Sequence, residues 1–180
     1  MRVITGMARG MKLKEPVGMD IRPTTDMVKE SLFNIIQNDI EGRSVLDLFA
    51  GTGQLGIEAL SRGAKSCVFV DESTAAIKLI RDNLEKTKLQ GGRIVQAEAL
   101  KFLEGREKYD LILLDPPYNT GLLNKAIKKV TEFDKLNTSG IIVYENFSAE
   151  LLPEVNAPYK RLKSYRYGKI CLTLYIKQEE

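Results

Sequence analysis

Short apolar runs alternate with amphipathic stretches along most of the chain, from Arg43 to Gly140. The apolar runs predict five strands, over residues 44–50, 66–70, 93–96, 109–114 and 141–144. The stretches between them have apolar residues at helical spacing and predict helices over residues 54–62, 73–88 and 122–133, with a short helix after the third strand. Strands separated in this way return to one sheet through right-handed crossovers. The pattern therefore predicts an α/β fold with a doubly wound, mostly parallel sheet.

The two ends of the chain depart from this alternation. Residues 159–167 and 169–177 flank Gly168 and predict an antiparallel hairpin at the sheet edge, which brings the expected strands to seven. Residues 1–40 predict a small extension, made of a hairpin of residues 2–5 and 11–14 and then a helix. One face of that helix would carry Val28, Leu32, Ile35 and Ile36, and its N-cap would be Thr24 or Thr25. We expect one domain over residues 1–180, with the extension at 1–40 and the core at 43–177.

Composition excludes several classes of chemistry. The 180 residues include no histidine, which excludes hydrolases with an imidazole base and zinc sites with histidine ligands, and we expect no metal. Cys67 and Cys171 lie in apolar segments and are expected to be buried strand residues. A disulfide between them is disfavoured because no secretory signal is visible. No apolar stretch is long enough to span a bilayer, so we expect a cytoplasmic protein without membrane contact.

A glycine-rich turn follows the first predicted strand. The segment Gly51-Thr52-Gly53-Gln54-Leu55-Gly56 matches G-x-G-x-x-G between a strand and a helix, where backbone N–H groups can approach a ligand closely. Asp71 ends the next strand, where a carboxylate can accept hydrogen bonds from ribose hydroxyls. The motif predicts an adenosine-containing ligand, and a tight turn without a ligand is the alternative.

Asp47 narrows the choice of ligand. It lies inside the first strand, at a position that is usually apolar in dinucleotide-binding strands. A carboxylate there suits a ligand with a positive group, such as the ammonium of a methionine moiety. The alternative is an acid that accepts hydrogen bonds from the loop backbone, and the sequence leaves both open.

A second motif follows the fourth predicted strand. Asp115-Pro116-Pro117-Tyr118 lies at the strand's carboxyl end, the edge where doubly wound sheets bind ligands. Consecutive prolines make the loop stiff, so that it presents the Asp115 carboxylate and the Pro116 carbonyl as acceptors beside the Tyr118 ring. Two acceptors can hold both N–H bonds of an exocyclic amine while an aromatic ring stacks on the base. A strand-terminating turn with a surface tyrosine is the alternative.

With both motifs present, the sequence resembles class I methyltransferases that use S-adenosylmethionine, in the subgroup that modifies exocyclic amines. Further segments are similar to the bacterial 16S rRNA guanine-N2 methyltransferase family. The segments that carry this similarity are Arg2-Val3-Ile4-Thr5-Gly6, Arg9-Gly10, Arg22-Pro23-Thr24-Thr25-Asp26, Glu30-Ser31-Leu32-Phe33-Asn34, Leu46-Asp47-Leu48-Phe49-Ala50-Gly51, Gly56-Ile57-Glu58-Ala59-Leu60-Ser61-Arg62-Gly63-Ala64 and Leu114-Asp115-Pro116-Pro117-Tyr118. The resemblance implies a Rossmann-like methyltransferase domain.

The resemblance also implies site residues. Asp71 would hold the cofactor ribose and Glu98 would lie near the adenine amine, in a cofactor site made of Asp47, Phe49, Ala50, Gly51, Thr52, Gly53, Asp71, Glu98 and Asp115. Arg22, Thr24 and Thr25 would lie beside the substrate, with Asp115, Pro116 and Tyr118 as catalytic residues and Tyr118 stacked on the extruded guanine. The substrate would be 16S rRNA, in an assembled or assembling small ribosomal subunit, with no obligate protein partner.

The formal net charge of +3 conceals two basic clusters without an acid. The first, within residues 1–14, predicts phosphate contacts through Arg2, Arg9 and Lys12, with Lys14 nearby. The second, within residues 155–177, contains Lys160, Arg161, Lys163, Arg166, Lys169 and Lys177, interleaved with Tyr159, Tyr165 and Tyr167. These tyrosines could stack on bases or pack the sheet, and the cations could instead protect a sheet edge from aggregation.

Other functions share parts of this pattern. An adenine-N6 methyltransferase or a protein glutamine methyltransferase would use the same Asp-Pro-Pro-Tyr chemistry. A C5-cytosine enzyme is disfavoured because neither cysteine lies in a loop at the site. A nicotinamide dehydrogenase would leave the second motif unexplained, and an RNA-binding protein without catalysis would not need it.

Overall fold

Five helices and seven strands make up the described part of the structure, a computed structural model that describes residues 1–16, 26–117, 120–149 and 151–178. In chain order they are α1 (Asp26–Ile35), β1 (Ser44–Leu48), α2 (Gln54–Ser61), β2 (Ser66–Asp71), α3 (Thr74–Thr87), β3 (Gly92–Gln96), α4 (Ala99–Phe102), β4 (Tyr109–Leu114), α5 (Leu122–Glu132), β5 (Leu136–Phe147), β6 (Tyr159–Tyr167) and β7 (Ile170–Lys177). A single 3-10 turn, Gln37–Asp39, follows α1.

The strands form one sheet in the order β3-β2-β1-β4-β5-β7-β6. The first five pair in parallel, whereas β7 pairs antiparallel with both β5 and β6. This confirms the predicted mostly parallel sheet with an antiparallel hairpin at one edge. The strand order reverses between β1 and β4, because β1 has β2 on one side and β4 on the other.

Helices cover both faces of the sheet. On one face, apolar residues of α1, α2 and α3 pack with Val45, Leu111 and Val143 in one cluster. On the other face, α4 and α5 pack with Leu46 and Ile112 in a second cluster. Side chains of a strand point alternately to its two faces, so each buried strand contributes to both clusters. Within the described ranges, no helix combines the length and apolar character needed to cross a membrane.

The N-terminal extension differs from its prediction. Residues 1–14 form a single antiparallel bridge, between Arg2 and Lys12, instead of two strands. Turn hydrogen bonds hold the two arms together, including Val3 N–H to the Met11 carbonyl at 3.0 Å. Pairing does not extend along both arms, since the Ile4 and Thr5 N–H groups donate to Glu58 of α2 and the Lys14 N–H donates to Asn83 of α3. The predicted N-cap at Thr24 or Thr25 lies outside the described residues.

Two other predictions need correction. Strand β5 runs over Leu136–Phe147, far beyond the predicted 141–144. Its polar start includes Asn137, whose amide donates to the Asp110 carboxylate of β4 at 2.8 Å, so this polar residue has a partner on the neighbouring strand. Cys67 is buried in β2 as expected, but Cys171 in β7 is only half-buried, and both thiols are free. Three strands separate β2 from β7 in the sheet.

Candidate active site

The carboxyl ends of β1, β2 and β4 meet at the point where the strand order reverses. The loop after β1 leads to α2 on one face, and the loop after β4 leads to α5 on the other. Connections that leave in opposite directions open a crevice between them, which is where open α/β sheets bind ligands. The two sequence motifs, the glycine loop and Asp115-Pro116-Pro117, therefore lie side by side at this crevice.

Asp47 is the buried acid of the site. Its side chain is 1% exposed and points to the α2 face, where Oδ2 accepts the Gly56 N–H at 2.8 Å. The pKa of Asp47 is raised to about 8, mainly by burial and also by the carboxylates of Asp115 and Asp71, while the hydrogen bond from the Gly56 N–H acts to lower it. The backbone hydrogen bond expected of Asp47 is therefore present, and contact with a ligand stays a prediction.

The first two glycines of the glycine loop adopt a backbone conformation with positive φ. Gly51 and Gly53 have φ of 55° and 78°, and Phe49, which the sequence places in the first strand, has φ of 70°. A positive φ is strained for a side chain such as that of Phe49, and such strain is found preferentially at functional sites. Strand β1 accordingly ends at Leu48, before the loop. Gln54 then begins α2, and its Oε1 is buried without a hydrogen-bond partner among the described residues.

The third glycine has a different role. Gly56 lies inside α2 with an ordinary helical backbone, but a Cβ there would come within 2.3 Å of the Phe69 ring and 2.6 Å of the Cys67 sulfur. Gly56 therefore allows α2 to pack directly on β2. This close approach also places the Gly56 N–H against Asp47. The sequence motif is thus explained partly by ligand access and partly by helix–strand packing.

Asp71 connects the second strand to the glycine loop. Its Oδ2 accepts the Gly51 N–H and its Oδ1 accepts the Ser73 N–H, both at 2.9 Å. Glu98, two residues beyond β3, is exposed and makes no side-chain cap on α4. The ribose contact of Asp71 and the adenine contact of Glu98 stay predictions.

The loop after β4 goes from buried to exposed along its described residues. Asp115 is half-buried and Pro116 is buried, whereas Pro117 is exposed and its carbonyl accepts the Thr120 hydroxyl at 2.8 Å. Asp115 is also one of the two carboxylates that raise the Asp47 pKa. Tyr118, Arg22, Thr24 and Thr25 lie outside the described residues, so their predicted roles are untested.

The predicted phosphate-binding residues of the extension lie at different distances from the crevice. Arg2 and Lys12 are exposed and pair with each other near the two ends of the segment 1–14, away from its turn. Arg9 lies at its tip, where the Met7 N–H bonds to the Ser61 carbonyl at the end of α2. Because α2 has 8 residues, this tip lies about 12 Å along the helix from the glycine loop. The structure does not bring Arg9 to the crevice.

Two anchoring residues were not predicted from the sequence. Glu58, fully buried in α2, accepts the N–H groups of Ile4 at 2.7 Å and Thr5 at 3.0 Å. Asn83, fully buried in α3, bonds to the backbone of Lys14 and to the Thr52 carbonyl. In the sequence, each of them is a polar residue on the apolar side of a predicted helix. This pattern does not show which backbone groups the side chain would bind.

Comparison with known proteins decides the family. A family model described as Conserved hypothetical protein 95 matches residues 1–176. The chain belongs to this family. The provisionally named rRNA methyltransferase YlbH of Bacillus subtilis (strain 168) is 38% identical over 183 residues, which cover 99% of this chain and 100% of YlbH. Ribosomal RNA small subunit methyltransferase D of Escherichia coli (strain K12) is 33% identical over 180 residues, which cover 99% of this chain and 91% of that protein.

A solved structure shows the same fold over the whole chain. The Escherichia coli protein provisionally described as the methyltransferase yhhF has a TM-score of 0.90 and 30% identity, and the match covers 100% of this chain and 99% of that chain. The family and the fold confirm the prediction of a Rossmann-like class I methyltransferase domain.

Proposed function

We propose that the chain transfers a methyl group from S-adenosylmethionine to the exocyclic N2 amine of a guanine in 16S rRNA, within an assembled or assembling small ribosomal subunit. The observation that carries the proposal is the juxtaposition of the glycine loop and the Asp115-Pro116-Pro117 loop at one crevice. The names of the relatives, which act on ribosomal RNA of the small subunit or on rRNA, support the substrate class.

The charges of the crevice fit the cofactor. Asp47, Asp71 and Asp115 lie close enough for the carboxylates of the last two to raise the pKa of the first. The negative charges of Asp71 and Asp115 suit S-adenosylmethionine, which carries a sulfonium and an ammonium group, and a cation beside Asp47 would favour the ionised form of that acid. Asp47 and the glycine loop would hold its methionine part, Asp71 its ribose and Glu98 its adenine. When bound, the cofactor supplies an electrophilic methyl group.

Asp115 and Pro116 would orient the amine that receives this methyl group. The lone pair of an exocyclic amine is conjugated with the base, which makes the amine a weak nucleophile. Acceptors on both N–H bonds turn the lone pair toward the methyl carbon. Positive charge would develop on the nitrogen as it accepts the methyl group, and the Asp115 carboxylate would stabilise that charge. Asp115 or water then takes one amine proton, while Tyr118 would stack on the base.

Product analysis tests the proposal. The purified protein is incubated with methyl-labelled S-adenosylmethionine and small ribosomal subunits that lack the modification, and the RNA is digested to nucleosides. We expect label in N2-methylguanosine of 16S rRNA. Label in N6-methyladenosine would replace the guanine assignment with adenine, and label in protein would overturn the RNA substrate.

A further inference from the structure

Strand β6 is an edge strand that carries one cation and two aromatic rings on one face. Side chains paired across two antiparallel strands point to the same face. Lys163, Tyr165 and Tyr167 pair with Leu174, Leu172 and Ile170 of β7, which face the cluster of α1, α2 and α3. These three residues of β6 therefore form one stripe, which we call the β6 stripe. The two tyrosines are half-buried against this cluster, and the Lys163 ammonium lies 4.7 Å from the Tyr165 ring centroid.

The cations around the stripe are not neutralised. Lys160, Arg161, Lys163, Arg166 and Lys169 are all exposed, and none of them lies within 4 Å of a carboxylate among the described residues. Only Lys177 of this hairpin has such a partner, since it bonds to Asp134 at 2.6 Å. Residues 155–177 contain no acid. An unpaired basic surface of this kind is complementary to a polyanion.

The stripe leads to the edge of the sheet that holds the crevice. Phe147 ends β5 and pairs with Ile170, which pairs with Tyr167. The turn between β6 and β7 therefore lies at the same end of the sheet as the carboxyl ends of β4 and β5 and the Asp115 loop. Since β6 is three strands from β4, the stripe lies about 14 Å from that loop. A few nucleotides of an extended single strand span this distance.

We propose that the β6 stripe, with Arg166 and Lys169, binds single-stranded RNA that flanks the methylated nucleotide. The inference rests on the proposed function, because it assumes that the crevice acts on RNA. Aromatic rings stack on bases of any sequence, and flanking cations contact the phosphates. The surface would thus hold the strand while the target base enters the crevice.

The competing role for edge cations is protection against strand pairing between molecules. Neutralising a few cations distinguishes the two roles, because protection affects solubility and RNA binding affects the salt dependence of affinity. The test variant is Lys163→Gln, Arg166→Gln and Lys169→Gln together. The matched control is Lys65→Gln, Lys86→Gln and Lys128→Gln, which removes equal charge from exposed positions outside the hairpin.

Binding of rRNA without turnover is measured over a range of salt concentrations. We expect the test variant to flatten the slope of log affinity against log salt by about 2, at about 0.7 for each lost phosphate contact of a single strand. Its KM for unmodified subunits should rise, while kcat and the affinity for S-adenosylhomocysteine stay at the wild-type values. A slope and KM equal to those of the control would overturn the proposal. The proposal would also be overturned if the test variant bound naked rRNA like wild type but had lower activity on subunits, because that result indicates that the surface contacts a protein.

The rings are tested separately. Tyr165→Leu with Tyr167→Leu keeps apolar packing but removes both rings, whereas Tyr165→Phe with Tyr167→Phe keeps them. We expect the Leu pair to weaken RNA binding about tenfold or more and the Phe pair to bind like wild type. If the Leu pair folds and binds RNA as tightly as wild type, the stacking role is overturned. If the Leu pair does not fold, the charge variants alone test whether the β6 stripe binds RNA. A wild-type protein that binds rRNA in this way but does not methylate it would overturn the proposed function alone.

Discussion

Asn83 holds the backbone of Lys14 with both ends of its amide: Oδ1 accepts the Lys14 N–H at 2.7 Å and Nδ2 donates to the Lys14 carbonyl at 3.2 Å. The same Nδ2 donates to the Thr52 carbonyl of the glycine loop at 3.0 Å. One fully buried side chain of α3 therefore joins the N-terminal extension to the loop that would hold the cofactor.

Asn83→Leu should destabilise both attached segments. A leucine of similar size leaves the Lys14 N–H and two carbonyls without their partner, and we expect a loss of about 2–5 kcal/mol in unfolding free energy. Affinity for S-adenosylhomocysteine should also fall because the Thr52 carbonyl is no longer fixed. Denaturant unfolding and calorimetric titration measure the two effects.

Thr87→Val is the matched control. Thr87 is buried one turn later on α3 and its hydroxyl donates to the Asn83 carbonyl at 2.9 Å, without contact to Lys14. We expect a stability loss of about 1 kcal/mol and unchanged ligand affinity. Equal ligand affinity in both variants would contradict the role of Asn83 at the glycine loop.

Gly56→Ala should damage the packing of α2 on β2. The added methyl would overlap the Phe69 ring and the Cys67 sulfur, and overpacking of a core costs about 1–3 kcal/mol. Phe69→Leu should recover part of this loss in the double variant, since it removes the ring that the methyl meets. Unfolding free energies of both single variants and the double variant form the test, and additive losses would count against this contact.

The raised pKa of Asp47 predicts that the stability of the cofactor-free protein depends on pH. Its pKa is about 8 in the folded chain and near its ordinary value of 3.8 in the unfolded chain. Between these values the folded state keeps a proton that the unfolded state releases, so the free energy of unfolding falls as pH rises. The fall is at most about 1.4 kcal/mol per pH unit.

Asp47→Asn removes this titration and keeps an acceptor for the Gly56 N–H. Unfolding of wild type and variant at pH 6, 7 and 8 gives the comparison. We expect the variant to gain stability relative to wild type as pH rises. A difference that is constant over this range would mean that the Asp47 pKa is not raised.

Asp115→Ala should reduce kcat by about 100-fold or more, because it removes the acceptor placed where charge develops on the amine. Affinity for S-adenosylhomocysteine should fall far less than kcat, because the other predicted cofactor residues remain, and a loss of affinity as large as the loss of kcat would remove Asp115 from the catalytic role. Single-turnover methylation and calorimetry separate the two effects.

Asp110→Ala is the control on the same strand. Asp110 lies toward the amino end of β4, where it accepts the Ser44 N–H at 2.8 Å, far from the crevice. This change should lower stability, because several hydrogen bonds are lost, and leave kcat near the wild-type value.

The sequence by itself determined most of the fold and the two motifs. Apolar runs and helical spacing are local patterns, so the ends of β4 and the start of α2 were predicted at the observed residues. The antiparallel hairpin followed from Gly168. The sequence also identified Asp47 and Asp115 as acids at the carboxyl edge, because the motifs fix their positions relative to the strands.

Only the tertiary structure showed the contacts between residues that are distant in the chain. Whether Glu58 and Asn83 are anchors depends on which backbone groups reach them, and those groups lie more than 50 residues away. The role of Gly56 depends on the distance between α2 and β2, which no local pattern encodes. The raised pKa of Asp47 arises from burial and from acids at the carboxyl ends of two other strands. Local periodicity determines the elements, whereas buried polar pairing and close packing are properties of the assembled chain.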